Sequence, residues 1–482
     1  MSLILHKKEP ILKNRLNDDH LRREIGLFSA TILVVANMIG TGIFTTSGFI
    51  IAEIGNPQAM LLCWLVGGLF ALCGALCYGE LGAAFPRAGG EYVFLKESFG
   101  EGIGFLSGWI SLIVGFSAPI AAASIAFASY FLNLFSLQTG SLAALSLFGT
   151  HIFTVSLHDL VAIGTVSTFS VIHCYGLLLG SRVQNVLTLF KIGLIVVFIG
   201  AGFLLGNGVT GNLYEPLNIS VLFQDKFAVS LVFISFAYSG WNAAVYLGAE
   251  IKKPGRNIPL ALFVGTSFVI CLYLLLNILY VYSLPVDEMK GVLEVGAKSA
   301  SSLFGPHIGK YFCGAIAMGL LSVISAMIMA GPRVYYAMSK DNIFFGLFGR
   351  VSKVRGTPVY SILLQWCIAI FMIITASFDA LLLYIGFTLS FCAMLTVVGL
   401  MLLRTKQPAL FSDYRTFAYP VTPLLFILGN IWIIYFSIKS KPIASLFGLG
   451  TICLGFVVYF FFHRRKQIHE RLFQMEGVRK DI

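Results

Sequence analysis

The sequence predicts an all-α membrane protein of about twelve transmembrane helices, built as a five-plus-five inverted repeat with broken first and sixth helices. Three observations carry that prediction. The 482 residues are 57% hydrophobic and only 11% charged, with a mean hydropathy of +0.87, whereas soluble domains carry roughly 25% charged residues. Apolar runs long enough to cross a bilayer recur between short polar joints. The first five runs have counterparts about two hundred residues later, the mark of an internal repeat. The composition excludes a large soluble enzyme. The net charge of +11 fits basic loops on one membrane face, not a nucleic-acid partner.

Residues 1–25 form a polar, basic segment, expected to be cytoplasmic; lacking an apolar h-region, it does not read as a cleavable signal. Spans are expected at 26–53, 58–83, 103–132, 155–179 and 184–206, the first repeat unit (26–206). The second unit (226–403) holds spans at 226–250, 257–284, 309–338, 358–376 and 379–403. Two more, 419–438 and 445–463, make a 419–463 segment outside the repeat, before a cytoplasmic tail at 464–482. Alternate joints are basic, from Arg87 and Lys96 through Lys252, Lys253 and Arg256 to Arg404 and Arg415. The other face holds only Lys226, Lys290, Lys298, Lys310, Lys439 and Lys441. By the positive-inside rule both termini are cytoplasmic, and an even number of spans agrees. Five is odd, so the second unit enters from the opposite face, as in the inverted repeats of secondary transporters.

Ile39-Gly40-Thr41-Gly42-Ile43 interrupts the first span at its centre. Glycine in a helix interior costs ~1 kcal/mol relative to alanine, and exposed backbone at that depth is tolerated only where protein, water or a ligand satisfies it. Symmetry asks for a second break in span six. Ser235-Phe236-Ala237-Tyr238-Ser239-Gly240-Trp241-Asn242 supplies it at the matching position. Nine cysteines lie in or at the ends of apolar runs without a metal-type pair, so no disulfide, metal or cofactor is expected. His158, Asp159 and His173 have no partner cluster in the sequence, and no enzyme activity is implied.

Several stretches together resemble the amino acid–polyamine–organocation superfamily, most of all its L-type amino acid transporters and their bacterial single-subunit relatives. They are Ile39-Gly40-Thr41-Gly42-Ile43-Phe44, Phe85-Pro86-Arg87-Ala88-Gly89-Gly90-Glu91-Tyr92, Phe236 to Asn242, and Glu250-Ile251-Lys252-Lys253-Pro254-Gly255-Arg256-Asn257-Ile258-Pro259. The resemblance covers roughly 23–404. It implies a twelve-helix inverted-repeat fold, alternating access, and free amino acids as substrates.

A zwitterion needs an anion site and a cation site side by side. The half-helix starting at Gly42 offers free N–H groups and a positive dipole end to a carboxylate, with the Thr41 hydroxyl beside it. Carbonyls near Asn37, Met38 and Ile39 at the end of the first half-helix, and on span six near Phe236, Ala237 and Ser239, suit an ammonium, with Gly40 in the break among the substrate-contact candidates. By resemblance Phe236 is an aromatic gate and Asn242 a polar contact. Val114, Gly115 and Ala118 of span three, and Phe387 and Ser390 of span ten, would line the side-chain pocket. No acidic residue occurs in 103–133 or 309–338, and 379–403 holds only Asp379 at its first position, which favours neutral over cationic substrates.

Lys191 sits inside span five, where an ionisable group is a functional candidate. In sodium-independent members of the family a lysine here takes the place of a sodium ion between helices one, five and eight. Ser322 and Ser325 are candidate partners. A lysine that stays charged makes sodium unnecessary and exchange feasible; one that gives up its proton inside could drive proton symport. Glu250 and Arg256 at the span 6–7 joint are candidates for an inner gate, with Glu80 similarly placed. The joint 133–156 has no cysteine, and the resemblance then implies no disulfide-linked heavy chain. Asn218-Ile219-Ser220 is a weak glycosylation match. The expectation is a plasma-membrane, sodium-independent exchanger of neutral L-amino acids. Alternatives are a proton-coupled symporter and an amino acid sensor without turnover.

Overall fold

The computed structural model describes residues 21–462 apart from 136–140, 148–149, 218, 293, 376–377, 412 and 441–445. Asn218 of the glycosylation match therefore lies outside the described residues. Among those described, eight helices are long and apolar enough to cross a membrane, and the bent pair Leu27–Met38 and Gly42–Ile54 makes a ninth. Two shorter apolar helices, Val359–Thr375 and Leu446–Phe462, and the interrupted sixth span bring the total to about twelve. The protein is an all-α, multi-pass membrane protein. A two-stranded antiparallel hairpin, Ser141–Leu147 with Thr150–Ser156, lies in the joint between spans three and four.

Span one breaks where its glycines are. Leu27–Met38 ends with the Ile39 amide donating to the Val35 carbonyl, and the chain restarts at Gly42 after a bend of 40°. Span two starts after Asn56, whose side chain accepts from the Ala59 amide at 2.9 Å, with Pro57 in the first turn. Both are ordinary helix-start chemistry. Span six is helical over Asp225–Ala237, then turns through 238–242 and is helical again only over Ala243–Tyr246.

The second half of span six is thus shorter than the expected run to residue 250. Its carbonyls are claimed by other segments. The Tyr246 carbonyl accepts from the Gly89 amide, and Leu247 and Ile251 form β-bridges with Ala88 and Ile25. A second difference concerns spans four and five. They meet at Gly176, because helix four stops at Tyr175 and helix five starts at Leu177. Arg182 is therefore inside helix five, and Lys191 stands fourteen residues past its start, about 21 Å along the axis.

The two broken spans cross in contact. A Cβ on Gly42 would lie 2.7 Å from the Ala237 Cα, and one on Gly240 would lie 2.8 Å from the Asn37 carbonyl carbon. Each break presents a glycine to the other's backbone. Gly240 also has φ +95°, a region closed to most side chains. Tyr273 of span seven (Pro254–Ser283) closes the crossing: its hydroxyl is 2.6 Å from the Met38 carbonyl and 3.2 Å from that of Ala237. Trp64, Tyr238 and Tyr273 stack edge-on and tilted behind it, with centroids 5.1–5.7 Å apart.

Gly240→Ala is expected to lower thermal stability in detergent, by ~1–2 kcal/mol for the left-handed backbone plus the cost of pushing Asn37 away. Gly193→Ala, whose Cβ meets nothing within 4 Å, is the control and should be neutral or slightly stabilising. Equal melting curves for both variants would refute the close crossing.

Candidate functional site

The crossing of spans one and six borders a partly open cavity of about 160 Å³. That is below the ~300–1,000 Å³ of sites for drug-sized ligands, and suits a ligand the size of one amino acid. Asn37, Met38, Gly40, Thr41 and Gly42 line it from span one. Phe236, Ala237, Ser239 and Asn242 line it from span six. All the substrate-contact candidates named from the sequence therefore face one cavity, except Ile39. The Ile39 side chain is buried, and its carbonyl is used elsewhere.

It is used by Lys191. The Lys191 ammonium donates to the carbonyls of Ile39 at 2.6 Å and Ala36 at 3.2 Å. These are the last acceptors of the first half-helix, where the dipole is negative. Span eight contributes space rather than hydroxyls: a Cβ on Gly319 would sit 3.2 Å from the lysine Cδ. Ser322 donates to its own Gly319 carbonyl, and Ser325 pairs with His173 Nε2 at 2.9 Å. The proposed serine partners of Lys191 are thus engaged elsewhere.

In the side-chain pocket, Gly115 and Ser390 line the cavity, but Val114 and Ala118 are fully buried and do not. The reason is a π-helical stretch, Ser111–Ser117, within span three. Its extra residue per turn changes the face presented, so Ser111, Phe116 and Pro119 reach the cavity. Phe387 lies on the helix Phe378–Lys406, outside the residues whose side chains are described. Glu91 was missed as a lining residue. It comes from the joint between spans two and three, not from the spans searched for acids. The visible signal was its place directly after Gly89-Gly90. Its carboxyl accepts from the Tyr78 hydroxyl at 2.7 Å and from the Asn242 amide at 2.8 Å. Asn242, expected to touch a substrate, spends a donor on Glu91.

Glu250 makes a buried two-pronged ion pair, both bonds 2.9 Å, but with Arg333 at the end of span eight. Arg256 is exposed, and no ion pair from it occurs among the described residues. Arg333 was not identified because nothing local in the sequence marks a partner 83 positions away. Glu80 is held by Arg404 at 2.7 Å and by the Thr416 amide at 2.7 Å. It joins span two to span ten and to the chain before span eleven.

A profile of the family described as amino acid permease matches residues 25–473. The chain belongs to the amino acid permease family. The permease is 28% identical over 446 residues to the large neutral amino acids transporter small subunit 2 of Mus musculus, covering 91% of this chain and 81% of that one. It is 28% identical over 458 residues to the serine/threonine exchanger SteT of Bacillus subtilis strain 168, covering 93% and 99%. A third relative is the b(0,+)-type amino acid transporter 1 of Mus musculus, 27% identical over 451 residues, covering 92% and 88%. The profile match along almost the whole chain places the permease in the amino acid–polyamine–organocation superfamily that its motifs resemble.

Removing one member of the buried Glu250–Arg333 pair should cost about 3–5 kcal/mol, since the other charge is left buried and unpaired. Glu250→Ala and Arg333→Ala should each melt far below the parent protein. The double variant should cost less than the sum of the two. Strict additivity in melting experiments would show that the pair does not couple.

Proposed function

We propose that the permease is a sodium-independent exchanger of neutral L-amino acids, working by alternating access around the crossing of spans one and six. The observation that carries this reading is Lys191, whose ammonium sits on the Ala36 and Ile39 carbonyls. In this reading the lysine keeps its proton and fills the place where the end of the broken helix would otherwise draw a sodium ion.

In this reading the substrate carboxylate faces the free amides at the start of Gly42–Ile54, with Thr41 beside them. Its ammonium faces the Ala237 carbonyl and the span-six turn. The single Tyr273 hydroxyl hydrogen lies on the Met38 carbonyl at 2.6 Å, which also accepts from the Gly40 amide, and leaves the Ala237 carbonyl, 3.2 Å from the hydroxyl oxygen, open. The backbone thus reads the part common to all amino acids, and the side chain is read by Gly115 and Ser390. Phe236, half-buried and lining the cavity, is the gate over the substrate. Spans three and eight carry no acid and span ten only Asp379 at its first position, and the cavity-lining Glu91 is engaged by Tyr78 and Asn242, which favours neutral side chains. The relatives named as a neutral amino acid transporter and as an exchanger support the same reading.

Both termini are read as cytoplasmic, in the plasma membrane, from the basic joints on that face. The joint 133–156 offers no cysteine to a heavy chain, so the permease is read as working without one.

Proteoliposomes test the proposal. Labelled neutral amino acid should enter vesicles preloaded with unlabelled amino acid, with no sodium present, and should not accumulate in empty ones. Sodium-dependent uptake, or accumulation in empty vesicles, would overturn exchange. Lys191→Ala removes charged hydrogen bonds worth ~1.5–3 kcal/mol, so counterflow should fall about 10- to 100-fold. Wild-type rates in that variant would remove Lys191 from the mechanism.

A further inference from the structure

The Phe85–Tyr92 stretch has no role in the reading above, yet it delivers a carboxyl to the cavity. Gly89 and Gly90 have φ +116° and +53°. A Cβ on Gly90 would meet the Tyr246 ring at 2.6 Å, and the Gly89 amide donates to the Tyr246 carbonyl at 3.1 Å. Only glycines allow this turn to lie flat on span six. The turn starts the helix Glu91–Phe99, and Glu91 is its first residue.

That helix packs on span three and span ten, while the partners of Glu91 come from elsewhere. Tyr78 is on span two, and Asn242 and Tyr246 are on span six. The Glu91 carboxyl therefore joins the helix seated on spans three and ten to the short second half of span six. The bonds from Tyr78 and Asn242 both fall on Oε1. Oε2 takes neither, and the residue lines the cavity.

We infer that Glu91 is a proton site on the cytoplasmic side of the substrate cavity, and that its charged form latches span six to the Glu91–Phe99 helix. The inference rests on the transport reading and adds a pH control to it. Glu91 stands outside the membrane-spanning helices, and burial pushes its carboxyl up to about 7 despite the bonds from Tyr78, Asn242 and Tyr246. The titratable groups facing it are Tyr78 from span two, Tyr246 from span six and Cys392 from span ten. No lysine or arginine pairs with it among the described residues. Lys96 and Arg87, its basic neighbours in sequence, pair with Asp341 and Glu97, and Arg333 is held by Glu250.

The sign follows. Above the inflection Glu91 is ionised and its two bonds are charge-assisted, roughly twice as strong as neutral ones. Below it the carboxyl is neutral, the latch weakens, and span six is freer to open that side of the cavity. Exchange should therefore speed up on acidification.

The test is counterflow in proteoliposomes with the same pH inside and out, so that no gradient drives flux. Wild-type exchange should rise by about threefold or more between about pH 8 and about pH 6. Glu91→Gln keeps the Oε1 acceptor and cannot ionise. Its rate should be independent of pH, at the level of the acid limb. Tyr78→Phe keeps the ring and removes a donor that favours the charged form, so its inflection should move to higher pH. A flat wild-type profile, an inflection retained in Glu91→Gln, or an unshifted one in Tyr78→Phe would each overturn the proton site. Absence of exchange at every pH would instead overturn the transport reading. Should Glu91→Gln not fold, the wild-type and Tyr78→Phe profiles decide.

Discussion

Everything at the centre of this protein depends on an ammonium meeting the broken end of a helix. A helix interrupted in the bilayer leaves carbonyls without donors, and a lysine buried at the same depth lacks acceptors. Lys191 and the Ala36 and Ile39 carbonyls solve both problems at once. Gly319 opens span eight just enough for the lysine stem. The single Tyr273 hydroxyl sits between the Met38 and Ala237 carbonyls of the two breaks. With those contacts made, the two unwound segments can approach to backbone distance, which is what frames a small, partly open cavity.

Much of this was legible from residues alone because it depends on local chemistry. Gly40, Gly42 and Gly240 are conspicuous in apolar helices, and a lysine at position 191 stands out against its neighbours. Hydropathy located about twelve spans because the bilayer imposes one length on all of them. The joint between spans four and five was misplaced because Arg182 looked like a boundary. A long basic side chain close to a helix end can reach the interface from inside the helix.

What escaped the sequence depends on distance or on register. The π-helical stretch in span three has no compositional signature, yet it decides that Gly115 rather than Val114 or Ala118 faces the cavity. Arg333 was missed because its partner is far away in the chain. Glu91 was missed because acids were sought only within spans, while the cavity receives it from a joint. Its burial is compensated by three polar neighbours on two other helices, a pattern that exists only after folding.

Glu250 holds two structures together by different parts of the same residue. Its carboxylate grips Arg333 on span eight, while its backbone carbonyl receives the Glu24 and Ile25 amides ahead of span one. The start of span one is thereby coupled to the end of span eight through a single amino acid. This works like a hinge pin shared by two leaves. Splaying the start of span one must either drag Glu250 along and strain the ion pair, or strip two backbone hydrogen bonds from it. Force applied at one of these helices is felt at the other through this residue as well as through their direct packing.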